Sequence, residues 1–167
     1  MSPLSIDIKP VQTSELEELR SFGEARFRET FEDQNDPENL NAYLKSSFTL
    51  DKIGAQLKNS NCQFYFARVN DKTVGYLKLN LSESQVEIER IYIEKAYQGL
   101  KIGKALFTKA LEIAKLHTAK WLWLGVWQEN KKAIAFYEYL GFRTYDTRQF
   151  KLGNELQDDV LMRLPIT

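Results

Sequence analysis

The segment Gln98-Gly99-Leu100-Lys101-Ile102-Gly103-Lys104 follows an apolar run, Ile91-Tyr92-Ile93, and leads into a stretch with helical periodicity. A glycine-containing turn that opens a helix gathers unpaired backbone N–H groups at the positive end of the helix dipole. That is a binding place for phosphate. Lys101 and Lys104 add positive charge at the same spot. Two other phosphate loops are excluded. The spacing from Gly99 to Gly103 is one residue short of Gly-x-x-x-x-Gly-Lys-Ser/Thr, and Ala105 stands where a hydroxyl would hold magnesium. The dinucleotide fingerprint Gly-x-Gly-x-x-Gly is absent.

Further along, Asn130, Ala133, Phe136 and Tyr137 belong to a second helical stretch that Gly141 ends. A tyrosine hydroxyl there could donate a proton to the reactive end of whatever cofactor the turn holds. Upstream, Glu87 and Glu89 lie on the strand that runs into Ile91–Ile93, where a carboxylate could serve as general base. Strand alternation puts both on one face with Ile91 and Ile93 unless a bulge intervenes. His117, the sole histidine, falls near a helix C-terminus, where its charge suits the dipole. Cys62 opens an apolar strand and reads as a small buried residue. No His/Cys/carboxylate spacing matches a metal site.

The elements that must position these groups follow from pattern. Leu4, Ile6 and Ile8 alternate ahead of Pro10, as in a first strand. Ser14 and Glu17 have capping-box spacing before a helix to about Thr30. Asp36-Pro37 reads as an N-cap with proline at the first helical position. A third short helix covers 50–57. Two strands, 63–69 and 73–81, flank a tight turn at Asn70-Asp71-Lys72, and 86–93 is the next strand. The stretch 101–116 is an amphipathic helix, and 121–126 is an apolar strand covered on both faces. A helix over 130–140 and strands over 142–150 and 159–164 complete the order β-ααα-βββ-α-β-α-ββ. That order describes an α/β layer with one mixed sheet.

The two motifs together resemble the GNAT superfamily of acetyl-CoA-dependent N-acetyltransferases, with Lys101 replacing the first motif glycine of that family's turn. The replacement reads as a backbone position that does not demand glycine. The resemblance implies a mixed, mostly antiparallel sheet of about seven strands flanked by helices, splayed between the fourth and fifth strands. It implies a single domain over 1–167 and acetyl-CoA as cosubstrate, with no metal. The pyrophosphate would lie on the amides of residues 98–104. The backbone of Ile91, Tyr92 and Ile93 would pair with the pantetheine arm, and the Ile93 N–H would face the thioester oxygen. Asn130 and Ala133 would border the arm. Tyr137 would protonate the departing thiolate, and Glu87, with Glu89 second, would take the amine proton. On reference values, a phenol near ~10 giving its proton to a thiolate near ~8.5 is slightly uphill, which local tuning or a hydrogen bond without full transfer would correct.

A narrower resemblance, to bacterial spermidine/spermine (PaiA-type) N-acetyltransferases, rests on 27–44, 75–80, 87–93, 123–127 and the tail Phe150-x-x-Gly153-x-Glu155 with Asp158 or Asp159. It implies a polyamine acceptor. Five carboxylates and no basic side chain lie between Glu29 and Glu38, and such charge attracts a polycation. Glu32 and Asp33 are therefore acceptor candidates. Other readings stay open: a protein, peptide or small-amine acceptor, or a non-catalytic acyl-CoA sensor.

Bulk properties bound the rest. Lys and Arg number 23 and so do Asp and Glu, so charge gives no reason to expect nucleic acid. No apolar run approaches the ~18 residues of a membrane span. The segment 1–7 lacks the basic and apolar regions of a signal peptide. One cysteine allows no internal disulfide. The chain reads as cytoplasmic, with monomer or homodimer undetermined.

Overall fold

The computed structural model describes residues 4–167; residues 1–3, part of the segment read for a leader, lie outside it. Twelve elements follow one another: β1 Asp7–Pro10, α1 Leu16–Phe31, α2 Pro37–Ser47, α3 Leu50–Lys58, β2 Cys62–Val69, β3 Lys72–Leu81, β4 Gln85–Ile93, α4 Ile102–Leu116, β5 Trp121–Trp127, α5 Lys131–Tyr139, β6 Arg143–Leu152 and β7 Glu155–Pro165. Local chemistry explains their ends. Asp36 accepts the Asn39 N–H, Thr49 accepts the Lys52 N–H and Asn130 accepts the Ala133 N–H, each at a helix start. Asn70 and Asp71, both with positive φ, make the two-residue turn between β2 and β3.

Some boundaries differ from the sequence reading. The reach-back bond ahead of α1 runs from the Gln12 N–H to Glu15, not between Ser14 and Glu17, because a 3-10 turn at Thr13–Glu15 precedes the α-helix. β1 starts at Asp7 and includes Pro10, which an edge strand tolerates. β6 and β7 are longer than their apolar cores. Their polar ends form a hairpin whose tip docks on α2, the Asn154 N–H donating to Asn39 Oδ1 at 2.8 Å.

The strands form one seven-stranded sheet in the order β1-β2-β3-β4-β5-β7-β6. All neighbours are antiparallel except β4 and β5. That parallel pair is short: Gln85, Val86 and Glu87 face Trp121, Leu122 and Trp123, and pairing then stops. The remainder of β4, through Ile93, diverges from the remainder of β5, through Trp127.

Each face of the sheet has its own core. One, beneath α4 and α5, contains Leu77, Leu79, Val86, Ile88, Leu106 and Phe142. The other, beneath α1–α3, contains Phe27, Leu40, Leu44, Phe66, Tyr76 and Leu152. Among the described residues no helix is long and apolar enough to cross a membrane.

Candidate active site

The divergence of β4 from β5 opens a cleft of about 1280 Å³. Its walls come from both faces of the sheet. Ile91 and Ile93 pack on the α4 side and Tyr92 on the α1–α2 side. The Glu94 N–H donates to the Val74 carbonyl at 2.7 Å, and Ile93 stands opposite Gly75. Antiparallel strands alternate the direction of their backbone groups. Tyr92 and Glu94 therefore bond towards β3, while Ile91 and Ile93 aim their N–H and C=O groups at the unpaired side facing β5. Gln98 Nε2 donates to the Ile93 carbonyl at 3.3 Å, a contact that leaves the Ile93 N–H directed into the cleft.

The turn before α4 closes one end. Gly99 has φ +81, and Lys101 is the N-cap with φ 68, in the left-handed region. Here the sequence reading is corrected: the position does favour glycine, and lysine holds it at a steric cost of about 1–2 kcal/mol. Lys101 supplies no side-chain acceptor to the helix start. The first intrahelical bond is from the Ala105 N–H to the Lys101 carbonyl, so the N–H groups of Ile102, Gly103 and Lys104 remain available to an anion. Lys132 reaches this end from α5 and donates to Gln98 Oε1 at 3.0 Å. Leu100, 45% exposed, does not line the cleft.

On the α5 side, Asn130, Ala133 and Tyr137 all border the cleft. Tyr137 packs edge-on against Phe142, with ring centroids 5.8 Å apart. Burial pushes its phenol well above the usual range. Local tuning thus runs opposite to what proton donation from a free phenol would want.

The bulge that alternation had left open is present. β3 and β4 pair Lys78 with Arg90 but Leu79 with Ile88, so Glu89 is an inserted residue. The insertion puts Glu87, Arg90 and Tyr92 on the α1–α2 face and Ile91 and Ile93 on the other. The two glutamates then differ sharply. Glu89 lies 2.6 Å from the buried Lys78 ammonium and 3.5 Å from Arg90. Burial alone would raise it, but the charges of Lys78 and Arg90 outweigh that and hold it below the usual carboxylate range. Glu87 accepts one bond from Asn80 at 3.0 Å. Burial pushes it up and the Glu89 charge adds to this, against the Asn80 bond and the charges of Arg148 and Lys78.

Glu32 and Asp33 are exposed in a 3-10 turn and line no part of the cleft; Glu29 and Thr30 do. The sequence reading gave no site role to the opposite wall. Arg148 of β6 lies with Nε 3.4 Å from Asp159 Oδ2, its guanidinium over the Trp123 ring. Asp159, 6% exposed, is raised by burial against the opposing charge of Arg148. Phe27, Tyr43 and Phe150 complete this apolar and aromatic chamber. Gly125, within an otherwise bulky strand, is a local sequence signal for it.

The splayed sheet with an open helix N-terminus defines an acyltransferase of the acetyltransferase (GNAT) family. The profile of that family matches residues 16–142, and the chain belongs to it. An uncharacterised N-acetyltransferase of Lactobacillus delbrueckii subsp. lactis is 35% identical over 166 residues, covering 93% of this chain and 96% of that one. A spermidine N(1)-acetyltransferase of Thermoplasma acidophilum is 24% identical over 148 residues, covering 86% and 92%. The fold superimposes on the PaiA N-acetyltransferase of Thermoplasma acidophilum in complex with coenzyme A, with TM-score 0.84, 22% identity and coverage of 97% and 99%.

Proposed function

We propose that this enzyme transfers the acetyl group of acetyl-CoA directly to a primary amine, and that a polyamine such as spermidine is its acceptor. The observation that carries the reading is the placement of two proton-handling groups on opposite faces of one opened sheet. Glu87 faces the α1–α2 chamber and Tyr137 the α5 side, and one cleft is lined by both. An amine entering from the first face meets a thioester whose sulfur lies towards the second.

The residues fit the cofactor. The Ile102, Gly103 and Lys104 amides and Lys101, Lys104 and Lys132 suit the pyrophosphate. The outward backbone of Ile91 and Ile93 suits the pantetheine amides. The Ile93 N–H is aimed to stabilise the carbonyl oxygen as it gains charge, a contribution of about 3–4 kcal/mol in comparable acyl-transfer sites.

An acceptor amine is protonated at neutral pH, and removing its proton costs about 4–5 kcal/mol for a lysine-like group. Glu87 takes that proton, directly or through water. The amine nitrogen attacks the carbonyl carbon, a C–N bond forms, and the C–S bond breaks with its electron pair leaving on sulfur. Tyr137 donates a hydrogen bond to that sulfur. Because its phenol is raised, this bond stabilises the thiolate without full proton transfer, which the greater acidity of a thiol than of a phenol also favours. No covalent enzyme intermediate is needed.

The similarity to the Thermoplasma spermidine N(1)-acetyltransferase supports the polyamine, as do the carboxylates Glu29, Glu87 and Asp159 that line the acceptor chamber. Arg148 in the same chamber favours a second reading, a small amine that also carries an anionic group. The enzyme is read as one domain acting in the cytoplasm. The test is thiol release from acetyl-CoA with spermidine, spermine, monoamines, amino acids and peptides. Polyamine-dependent release is expected. Release only with carboxylate-bearing amines selects the second reading, and tight CoA binding with no release from any amine overturns both.

A further inference from the structure

β3 carries a lysine in the middle of its buried stretch. Lys78 lies between Leu77 and Leu79, is 3% exposed, and stands 5.6 Å from the centre of the Phe64 ring. A buried ammonium is kept only when a counter-charge compensates its lost hydration. Glu89 provides it, with Oε2 2.6 Å from Lys78 Nζ. Two residues along β3, Asn80 donates through its single Nδ2 to Glu89 Oε1 at 2.9 Å and to Glu87 Oε1 at 3.0 Å. The four side chains form a continuous chain: Lys78, Glu89, Asn80, Glu87. Glu89 has both oxygens engaged and two cations beside it. Glu87 has one amide donor, no cation within ion-pair distance among the described residues, and access to the cleft.

We propose that Lys78 and Asn80 are positioning residues that decide which of two adjacent glutamates receives the amine's proton. Lys78 keeps Glu89 ionised, so the proton cannot be shared onto it. Asn80 fixes the Glu87 carboxylate against the cleft wall, with the Glu89 charge close behind. Two carboxylates this near would otherwise titrate as one unit, with the proton distributed between them. A like charge behind Glu87 also strengthens its hold on a proton. The charged groups facing Glu87 are Lys78 from β3, Glu89 from β4 and Arg148 from β6, with Asp159 of β7 holding Arg148. The inference rests on the reading of Glu87 as the base.

The test is a titration of the Glu87 side-chain carboxyl by carbon-13 NMR in the full chain, beside the pH dependence of kcat. Lys78→Met is expected to let the proton distribute over both glutamates, so that the Glu87 signal titrates in two steps, the upper midpoint about one pH unit above wild type, tenfold in proton affinity. Glu89→Gln, which removes the like charge and frees the ammonium, is expected to move it downward. Lys78→Arg should restore a midpoint near wild type. The rising limb of kcat should follow these shifts.

A two-step, upward-shifted titration in Lys78→Met beside a single downward-shifted step in Glu89→Gln supports the proposal. Equal midpoints in all variants, with only the melting temperature lowered, would mean that the chain is structural and overturn it. If Lys78→Met does not fold, Asn80→Ala, which removes a donor to the ionised form and should shift Glu87 upward, replaces it. Retention of the rising limb in Glu87→Gln overturns the base reading itself, while the NMR shifts remain a separate measure of the coupling.

Discussion

Gly125 on β5 lies directly beneath the guanidinium of Arg148 from β6: a Cβ at position 125 would stand 2.6 Å from Nη2. The side chain crosses β7 to reach this seat, and Asp159 on β7 holds its Nε. Gly125→Ala should therefore push Arg148 off its seat. Arg148 is 42% exposed along its side chain and can move, so the stability loss should stay below about 1 kcal/mol. Acceptor kinetics should change more. With Arg148 moved from the chamber, KM for a polycationic acceptor should fall several-fold, and KM for an amine bearing a carboxylate should rise. Steady-state kinetics with one acceptor of each kind would check this, and CoA affinity should not move.

Tyr137→Phe removes the donor to the departing sulfur and leaves the ring packing on Phe142 intact. Turnover should fall on the order of 100-fold, with CoA affinity by calorimetry within about twofold of wild type. Unchanged turnover would take Tyr137 out of the reaction.

Glu87→Gln separates activity from stability. Because the folded-state carboxyl is raised, the native protein binds the proton more tightly than the unfolded chain. Its contribution to stability is present below the ordinary carboxylate range and is lost as pH rises through the Glu87 midpoint. At neutral pH wild type thus carries a destabilising buried charge. The variant should be more stable than wild type at pH 7, lose that advantage in acid, and turn over about 10²–10⁴-fold more slowly. Denaturant melts across pH and initial rates give both readouts.

Glu89 has the opposite sign. Its carboxyl is held below the ordinary range by Lys78 and Arg90 despite burial. It contributes stability above that range, and the contribution is lost as pH falls through its own midpoint. Glu89→Gln should lower stability at pH 7, leaving Lys78 buried without its counter-ion, by about 3–5 kcal/mol. The difference from wild type should shrink in acid, as urea unfolding at both pH values would record.

Lys101→Gly tests the strained turn. Relief of the left-handed conformation, about 1–2 kcal/mol, less the extra backbone entropy of glycine, about 0.5–1 kcal/mol, leaves a net gain of about 0–1.5 kcal/mol. The lost charge should weaken CoA binding at low salt more than at high salt. Chemical denaturation and calorimetry at two ionic strengths would measure the two effects.

The sequence alone determined what depends on neighbours a few residues away. Asp36-Pro37 and Asn130 announce helix starts through their own capping geometry, and Asn70-Asp71 announces a turn. The run from Gln98 to Lys104 announces a turn opening a helix, with the unpaired backbone donors that exist wherever such a turn meets a helix. The spacing from Asn130 to Tyr137 is likewise local to one helix. Tertiary structure decided everything that depends on register. One inserted residue at Glu89 reverses the faces of β4, and alternation along one strand cannot foresee an insertion that is defined only by pairing with another. Lys78 and Asn80, on that partner strand, then give two glutamates of identical chemistry different surroundings, Glu89 paired with an ammonium and Glu87 held by one amide at the cleft. Arg148 and Asp159 enter the chamber only because β7 lies between β5 and β6, an order that puts residues far apart along the chain onto one wall. Intrinsic acidity comes with the residue type, but the shift that gives a carboxylate its role comes from charges and burial that only the folded chain brings together.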